Sequence, residues 1–298
     1  MKILITGAKG QLGTELQRVL KSKECEIGAI NEIYKDCECL ALSSKDLDIS
    51  DFDKAREIIT LNQPDVLINC AAFTDVDACE TNKVKAMSVN ALGPKNLAII
   101  CNNLDIKFVH ISTDYVFSGD SFEPYCEWDF CNPKTVYGKS KLLGENYVTK
   151  FSNKYFILRT SWLYSPYGKN FAKTIFNLAK EKEKINIVND QFGNPTSTND
   201  LVYQILELAI TRNYGIYHCS GEGTCSWYDF ARKIVEYGNF PCKVIPVTTE
   251  SFQKINFRAA PRPRNSALEN LMLKTIKLNK MRPWEKAFKS MVNRLCQN

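Results

Sequence analysis

The feature that most constrains the fold is a glycine-rich turn directly after a short apolar run at the N-terminus. Lys2–Thr6 predicts a strand, and Gly7, Gly10 and Gly13 follow it. Glycines at this spacing permit a tight turn, close approach of the backbone to a pyrophosphate, and close packing of the next helix on the strand. The free amides at the start of that helix would receive phosphate groups. The turn therefore predicts a dinucleotide-binding unit.

Strands and helices alternate through the first half of the chain. Further apolar runs, separated by helical patterns, predict strands at Cys39–Leu42, Val66–Asn69, Phe108–Thr113 and Tyr155–Thr160. This alternation is typical of a parallel sheet covered by helices on both faces. We predict an α/β protein in which residues 1–160 form a Rossmann-type domain with a doubly wound parallel sheet. Segments from residues 185–220 are expected to join this domain. Residues 161–298 are predicted to form mainly a smaller α+β domain that binds the substrate, and residues 23–38 fit no clear element.

Composition excludes several classes of protein. The 298 residues are 44% hydrophobic and 24% charged, which is typical of a globular chain and not of a disordered, collagen-like or coiled-coil one. We find neither a signal-peptide pattern nor an apolar run of membrane-spanning length, so we expect a cytoplasmic protein without membrane contact. The 12 cysteines are scattered without a C-x-x-C pair and the chain has 2 histidines, so we expect reduced thiols and no metal site.

The chemistry is predicted by a tyrosine and a lysine four residues apart. Tyr137 and Lys141 share one face of a predicted helix. An ammonium one turn away is expected to lower the pKa of the phenol toward neutrality, so that Tyr137 can exchange a proton with a carbinol or carbonyl oxygen. Thr113 ends a predicted strand, where its hydroxyl can reach the same oxygen. These residues predict an oxidoreductase site.

The residues after the second strand bear on the choice of cofactor. A carboxylate there would grip the ribose hydroxyls of NADH, but this chain has Ser43 and Ser44 followed by Lys45. Hydroxyls and a cation without a carboxylate would accept the 2′-phosphate of NADPH, although an ordinary loop is the alternative. Asp48 either borders the adenine or caps a helix. NADPH and NADH both remain open.

The chain resembles the extended short-chain dehydrogenase/reductase family along nearly its whole length. Within that family it is similar to the enzymes that reduce the C4 ketone of dTDP-linked 6-deoxyhexoses. The resemblance rests on the glycine turn and on the strings at Asn69–Asp77, Ser112–Phe117, Tyr137–Glu145 and Asn189–Thr196, with Arg262-Pro263 near the C-terminus.

The resemblance implies roles for individual residues. Tyr137 would be the acid, Lys141 would bind the nicotinamide ribose, and Thr113 would bond the sugar C4 oxygen. The other implied cofactor contacts are Gln11 and Leu12 at the pyrophosphate, Asp48 and Ile49 at the adenine, and Ala71, Ala72, Phe73 and Thr74 along the dinucleotide. The other implied substrate contacts are Asp114, Trp162, Asn170 and Arg262. Glu15 matches a position that in some members binds magnesium at a dimer interface.

Charge is distributed unevenly between the two halves. Residues 251–298 carry a net charge of +9 and the preceding 250 residues −3. Such a segment can contact nucleic acid, a membrane or a phosphorylated small molecule, but no nucleic-acid-binding motif accompanies it. Arg262, between Pro261 and Pro263, is the candidate to face the diphosphate of a dTDP-sugar. Lys274, Lys277 and Lys280 are expected to be solvated.

The implied function is NAD(P)H-dependent reduction of dTDP-4-dehydro-6-deoxy-L-mannose to dTDP-L-rhamnose, by a monomer or homodimer without a nucleic-acid partner. Two alternatives stay open. One is a nucleotide-sugar epimerase of the same family, and the other is a non-catalytic NADP-binding regulatory subunit. Intact Thr113, Tyr137 and Lys141 argue against the regulatory subunit.

Overall fold

A computed structural model describes residues 1–255 and 260–296. The elements of the first half are β1 (Lys2–Thr6), α1 (Gln11–Ser22), β2 (Glu38–Leu42), α2 (Phe52–Asn62), β3 (Val66–Asn69), α3 (Val76–Thr81), α4 (Lys83–Met87), α5 (Gly93–Asn103), β4 (Lys107–Thr113), α6 (Val136–Phe151) and β5 (Tyr155–Thr160). Those of the second half are β6 (Leu163–Tyr164), α7 (Phe171–Glu181), β7 (Lys184–Val188), β8 (Phe192–Gly193), β9 (Thr196–Ser197), α8 (Thr198–Ala209), β10 (Gly215–His218), β11 (Cys225–Ser226), α9 (Trp227–Tyr237), β12 (Lys243–Val247), α10 (Thr249–Ile255), α11 (Leu271–Thr275) and α12 (Trp284–Cys296). A π-helical turn, Ser88–Leu92, joins α4 to α5.

The main sheet has six parallel strands in the order β10-β5-β4-β3-β1-β2. The order reverses at β1, which pairs with both β2 and β3. Ligands of such sheets bind outside the carboxyl ends of the strands, near the reversal. Thr6, Asn69, Thr113 and Thr160, which end β1, β3, β4 and β5, therefore lie along the edge where a site is expected.

Helices cover both faces of this sheet because successive side chains of a strand point to opposite sides. Ile3 and Ile5 pack with Leu16 of α1 and Ile205 of α8. Leu4 packs on the other face, in a second core that contains Ile59 of α2, Leu97 of α5 and Val148 of α6. The predicted α/β fold with a doubly wound parallel sheet is confirmed. The strand at 215–218 joins the sheet from the second half of the chain.

The rest of the second half forms a smaller mixed region with its own core. Three two-stranded sheets, β7 with β12, β6 with β9 and β8 with β11, lie beside α7, α9 and α12. Phe176, Phe230 and Phe288 from these helices are buried together. Ser226 begins α9 with a reciprocal cap, because its side chain bonds the Asp229 amide and Asp229 bonds the Ser226 amide.

Sequence analysis did not assign the structure of two segments, residues 23–38 and residues 243–255. Residues 23–38 contain an isolated bridge between Glu24 and Ala29 and a 3-10 turn, Glu32–Tyr34. Tyr34 at the end of that turn is fully buried and donates a hydrogen bond to the Leu206 carbonyl of α8 (2.6 Å). Strand β12 and helix α10 were not predicted.

In the described parts of the chain, no helix has both the length and the apolar character needed to cross a bilayer.

Candidate active site

A cleft of about 470 Å³ runs along the carboxyl edge of the main sheet. We call it the sheet-edge cleft. The structure brings most of the predicted site residues to its wall, from both halves of the chain. These are Gly10, Gln11, Leu12, Gly13, Ala72, Thr74, Thr113, Asp114, Tyr137, Lys141, Trp162 and Asn170.

The glycine turn has the backbone geometry that a phosphate site needs. Gly7 has φ +69°, and a Cβ there would lie 2.6 Å from the Ala71 amide nitrogen. A Cβ on Gly13 would lie 2.4 Å from the Gly7 carbonyl oxygen, whereas one on Gly10 would be 3.3 Å from the same atom. Helix α1 begins without a side-chain cap or an acidic residue in its first turn. Its amide end is therefore free of competing negative side chains.

The segment after β3 is held by a side chain whose role sequence reasoning missed. Asn90, in the π-helical turn, accepts a hydrogen bond from the Phe73 amide (2.8 Å) and donates to the Phe73 carbonyl (3.0 Å). It also donates to the Ser140 hydroxyl on α6 (3.0 Å). Asn90 thus ties Phe73 to the helix that carries Tyr137. The π turn, which redirects the side chain, gave no signal in the sequence.

The expectation that no carboxylate follows β2 is wrong. Asp46 accepts hydrogen bonds from the Ser43 amide (2.9 Å) and hydroxyl (2.6 Å), so a carboxylate lies beside Ser43. These bonds lower the pKa of Asp46. Asp48 is exposed and bonds Ser50, and the side chain of Ile49 packs into the core against Gly93. Neither Ser43, Asp48 nor Ile49 lines the sheet-edge cleft.

Tyr137 and Lys141 lie side by side on α6, and both are buried. Thr135 caps the helix by accepting from the Gly138 amide (3.0 Å). Burial raises the pKa of the Tyr137 phenol above its usual value, and burial lowers the pKa of Lys141 to about 8. The expected lowering of the phenol pKa is therefore wrong. Removal of the phenol from water raises its pKa by more than the hydrogen bond of Thr113 lowers it. A phenol that keeps its proton suits an acid.

Thr113 and Asp114 are coupled at the end of β4. The Thr113 hydroxyl donates to Asp114 Oδ1 (2.8 Å) and accepts from the Tyr115 amide (3.2 Å). Asp114 is 3% exposed, and its burial raises the pKa of the carboxyl to about 6. Thr113 therefore directs its proton to Asp114, and its hydroxyl must rotate before it can donate to another acceptor.

The part of the cleft lining that comes from the second half of the chain is rich in aromatic residues. The indole of Trp162 stacks on that of Trp227, with ring centroids 3.4 Å apart and planes 5° from parallel. Trp162 has the unusual φ of +45°. A Cβ on Gly193 would lie 2.4 Å from the Trp162 ring, so a glycine is needed beneath it. Trp227 was not predicted as a site residue, because it starts a helix 65 residues further along and belongs to no local motif.

Asn170 joins the two halves of the site. It caps α7 by accepting from the Lys173 amide (3.0 Å), and its amide nitrogen donates to Gln11 Oε1 (2.9 Å). Ser165 donates to the same Gln11 oxygen (2.9 Å). The side chain that begins α1 is therefore held by the second half of the chain.

Arg262 does not line the sheet-edge cleft. It lines an adjoining cavity of about 280 Å³, which we call the side pocket. Val76, Tyr115, Phe171 and Trp227 line both spaces. The side pocket is otherwise lined by Ile187, Val188, Gln191, Thr249, Phe252 and Gln253. Arg262 forms an ion pair with Asp77 (2.5 Å) and is 11% exposed.

Glu15 is engaged by protein groups and not arranged as a metal ligand. Its side chain is fully buried and pairs with Arg18 (2.9 Å) and Arg294 (3.0 Å), and it accepts from Asn199 (2.6 Å). The bonds to Arg294, Arg18 and Asn199 outweigh the effect of burial and lower the pKa of Glu15. No cluster of metal-ligating residues occurs among residues 1–255 and 260–296. The suggested magnesium role of Glu15 gains no support.

Comparison with known proteins identifies the family. The model of the RmlD substrate binding domain matches residues 1–297. The chain belongs to this family. A spore coat polysaccharide biosynthesis protein, SpsK, of Bacillus subtilis is 39% identical to it over 288 residues, which cover 97% of this chain and 95% of SpsK.

Two solved structures place this RmlD-family chain among the reductases. A dTDP-4-dehydrorhamnose reductase of Clostridium acetobutylicum is 43% identical, with a TM-score of 0.92, over 99% of this chain and 100% of that one. The dTDP-4-dehydrorhamnose reductase of Bacillus anthracis, solved in complex with NADP, is 40% identical, with a TM-score of 0.90, over 98% of this chain and 99% of that one. The resemblance seen in the sequence is confirmed, and the chain is an oxidoreductase.

Proposed function

We propose that the protein reduces the C4 ketone of dTDP-4-dehydro-6-deoxy-L-mannose to give dTDP-L-rhamnose, with NADPH or NADH as the reductant. The observation that carries the proposal is the placement of Tyr137, Lys141 and Thr113 in the same cleft as the glycine turn. The names of the relatives from Clostridium acetobutylicum and Bacillus anthracis support the choice of sugar.

The residues present fit a nicotinamide dinucleotide. Gly7 and Gly13 would let the backbone come close to the pyrophosphate. The first turn of α1 has free amides for its oxygens and no acidic side chain. Gln11 and Leu12 would hold the pyrophosphate, Ala71–Thr74 would border the dinucleotide, and Lys141 would bind the ribose of the nicotinamide. When bound, the cofactor supplies a hydride to the ketone carbon. The Asp46 carboxylate beside Ser43 would accept ribose hydroxyls and disfavour a 2′-phosphate, so we expect this chain to use NADH as well as NADPH.

Tyr137 would deliver the proton to the C4 oxygen as negative charge develops there. Its burial raises the pKa of the phenol and keeps the proton in place until it is needed. Thr113 would turn from Asp114 to the same oxygen and add a second hydrogen bond. Asp114 would then have a free carboxylate oxygen for a sugar hydroxyl.

The two adjoining spaces match the two parts of a nucleotide sugar. The deoxyhexose would lie in the sheet-edge cleft beside Trp162, and the nucleoside would occupy the side pocket, which is lined largely by apolar and aromatic residues. Arg262 lies at the side pocket, where its guanidinium would face the diphosphate that connects the parts. Its pairing with Asp77 holds the guanidinium in place before substrate binds.

The test is cofactor oxidation in the presence of the sugar, which is generated in situ from dTDP-glucose by the preceding enzymes because the ketone is unstable. We expect NADPH or NADH absorbance to fall only when the ketone is made, and we expect related dTDP-keto sugars to react more slowly. Binding of the cofactor without oxidation of either form would instead support a regulatory subunit. Interconversion of sugars without net cofactor consumption would support an epimerase.

A further inference from the structure

A buried chain of polar groups lies behind Lys141, and the proposed mechanism does not use it. It begins at Thr6 on β1, passes through Asn69 at the end of β3 and His110 on β4, and ends at Lys141 on α6. Thr6, Asn69, His110 and Lys141 are each at most 2% exposed. Buried polar side chains are costly unless their partners are well arranged, so such a chain constrains the protonation of its members.

The orientation of the Asn69 amide is fixed by a backbone donor. The Ala71 amide, which can only donate, points to Asn69 Oδ1 (3.2 Å), and the Thr6 hydroxyl donates to the same oxygen (2.6 Å). The reversed orientation would set two donors against each other at Ala71. The amide nitrogen of Asn69 therefore faces His110 Nδ1 (3.0 Å), to which it must donate.

This bond determines the tautomer of His110. Burial lowers the pKa of His110 well below its usual value, so the ring is neutral and carries one proton. Because Nδ1 accepts from Asn69, that proton is on Nε2. Nε2 lies 3.4 Å from the Lys141 nitrogen and presents an N–H to it.

The N–H discriminates between the two forms of Lys141. The lysine nitrogen donates to the Ile111 carbonyl (2.6 Å) in either form. A neutral amine also has a lone pair that accepts from His110, whereas an ammonium must turn a second N–H toward a donor. The other titratable groups that act on Lys141 are Glu145 from α6 and Cys70 after β3, and both favour the ammonium. Glu145 is itself paired with Arg159 (2.8 Å) and bonded by Ser112.

We propose that His110, held as the Nε2–H tautomer by Asn69, is a positioning residue that stabilises the neutral amine of Lys141. The proposal rests on the proposed function only in giving Lys141 a part in the reaction. After Tyr137 has delivered its proton, the ammonium of Lys141 can give a proton to the phenolate. The His110 N–H then donates a hydrogen bond to the lone pair of the resulting amine. No bond to His110 forms or breaks, and its own proton stays on Nε2.

The tautomer is measured directly by ¹⁵N NMR of the full chain labelled at histidine. The chain has 2 histidines, so a His110→Phe spectrum assigns both signals. We expect a neutral His110 ring protonated on Nε2 from pH 6 to pH 9. We also expect its signals to shift with a midpoint near the pKa of Lys141, about 8, and to lose that shift in Lys141→Met. A proton on Nδ1, an imidazolium, or a pH response that persists in Lys141→Met would overturn the proposal.

The effect on the reaction is measured by the pH profile of kcat. Without the facing N–H, Lys141 in His110→Phe keeps its proton to higher pH, so the alkaline limb of the profile moves up by about one pH unit. His218→Phe removes the other buried histidine, which bonds the Glu269 carbonyl and lies outside the cleft, and should leave the limb in place. An unmoved limb in folded His110→Phe would contradict the positioning role. If no dTDP-keto sugar is reduced, the proposed function fails, but the NMR result still decides the tautomer.

Discussion

The two walls of the site are built in different ways. The wall formed by the main sheet consists of strand ends and one turn, where Gly7, Gly13 and Thr113 occupy positions that the backbone dictates. The wall formed by the second half consists of side chains from distant segments, such as the stacked Trp162 and Trp227. Beside it, in the side pocket, Arg262 from the second half pairs with Asp77 of α3. The first wall tolerates little change in its backbone, whereas the second is set by shape and charge. We expect the first to govern chemistry and cofactor, and the second to govern the substrate.

The sharpest test of the wall formed by the main sheet is removal of the proposed acid, Tyr137. Tyr137→Phe keeps the ring and its packing but loses the proton donor, so turnover should fall by about 10²- to 10⁴-fold. The dissociation constant of the cofactor, measured by fluorescence titration, should change little because the phenol oxygen is a small part of its surroundings. Full activity in this variant would remove Tyr137 from the mechanism.

Asp114, which lies in the wall formed by the main sheet, should make the free energy of unfolding of the protein depend on pH. Burial raises the pKa of this carboxyl from an ordinary value of 3.8 to about 6, so between these values the folded state holds a proton that the unfolded state has lost. This contribution is present below pH 4 and is lost as the pH rises through 6. It amounts to about 3 kcal/mol at most. Urea unfolding from pH 4 to 7 should show wild type losing stability relative to Asp114→Asn, and a difference that is flat with pH would contradict the assignment.

The glycine turn offers a matched pair of substitutions. Gly13→Ala would place a Cβ 2.4 Å from the Gly7 carbonyl, whereas Gly10→Ala would place one at 3.3 Å from the same oxygen. Overpacking against backbone should lower the free energy of unfolding by about 1–3 kcal/mol in Gly13→Ala and by less in Gly10→Ala. Thermal unfolding compares the two, and equal losses would show that contact with Gly7 does not decide the effect.

The smallest effect should come from the second wall. Arg262→Ala should raise the KM for the dTDP-sugar by about tenfold, equivalent to about 1.4 kcal/mol, and leave the KM for the cofactor unchanged. Arg264→Ala is the matched control, because Arg264 lies two residues away over the Phe122 ring and lines neither the cleft nor the side pocket. A change in the KM for the cofactor, or an equal rise in the KM for the dTDP-sugar in both variants, would contradict the assignment of substrate binding to the second wall.

The same contrast explains what could be predicted. The strand at Tyr155–Thr160 was predicted with its exact bounds, because apolar runs and turns are local signals, and the glycine turn with Tyr137 and Lys141 predicted the sheet wall. The carboxylate beside Ser43 was missed because it comes from Asp46 folding back over a turn. Trp227 was missed because its stacking on Trp162 joins segments that are far apart in sequence. Arg262 was predicted as a diphosphate ligand, which stays a prediction, but its pairing with Asp77 depends on tertiary structure that the sequence does not display.

Hydride transfer requires cofactor and sugar to meet in the sheet-edge cleft, and it is tested by following one deuterium atom. The reaction is run with NADPH carrying deuterium at the transferred position of C4, and the dTDP-sugar product is examined by NMR and mass spectrometry. We expect one deuterium at C4 of the deoxyhexose, with the L-rhamnose configuration, for each NADPH consumed. Deuterium that stays on the cofactor, or a product without label at C4, would contradict it.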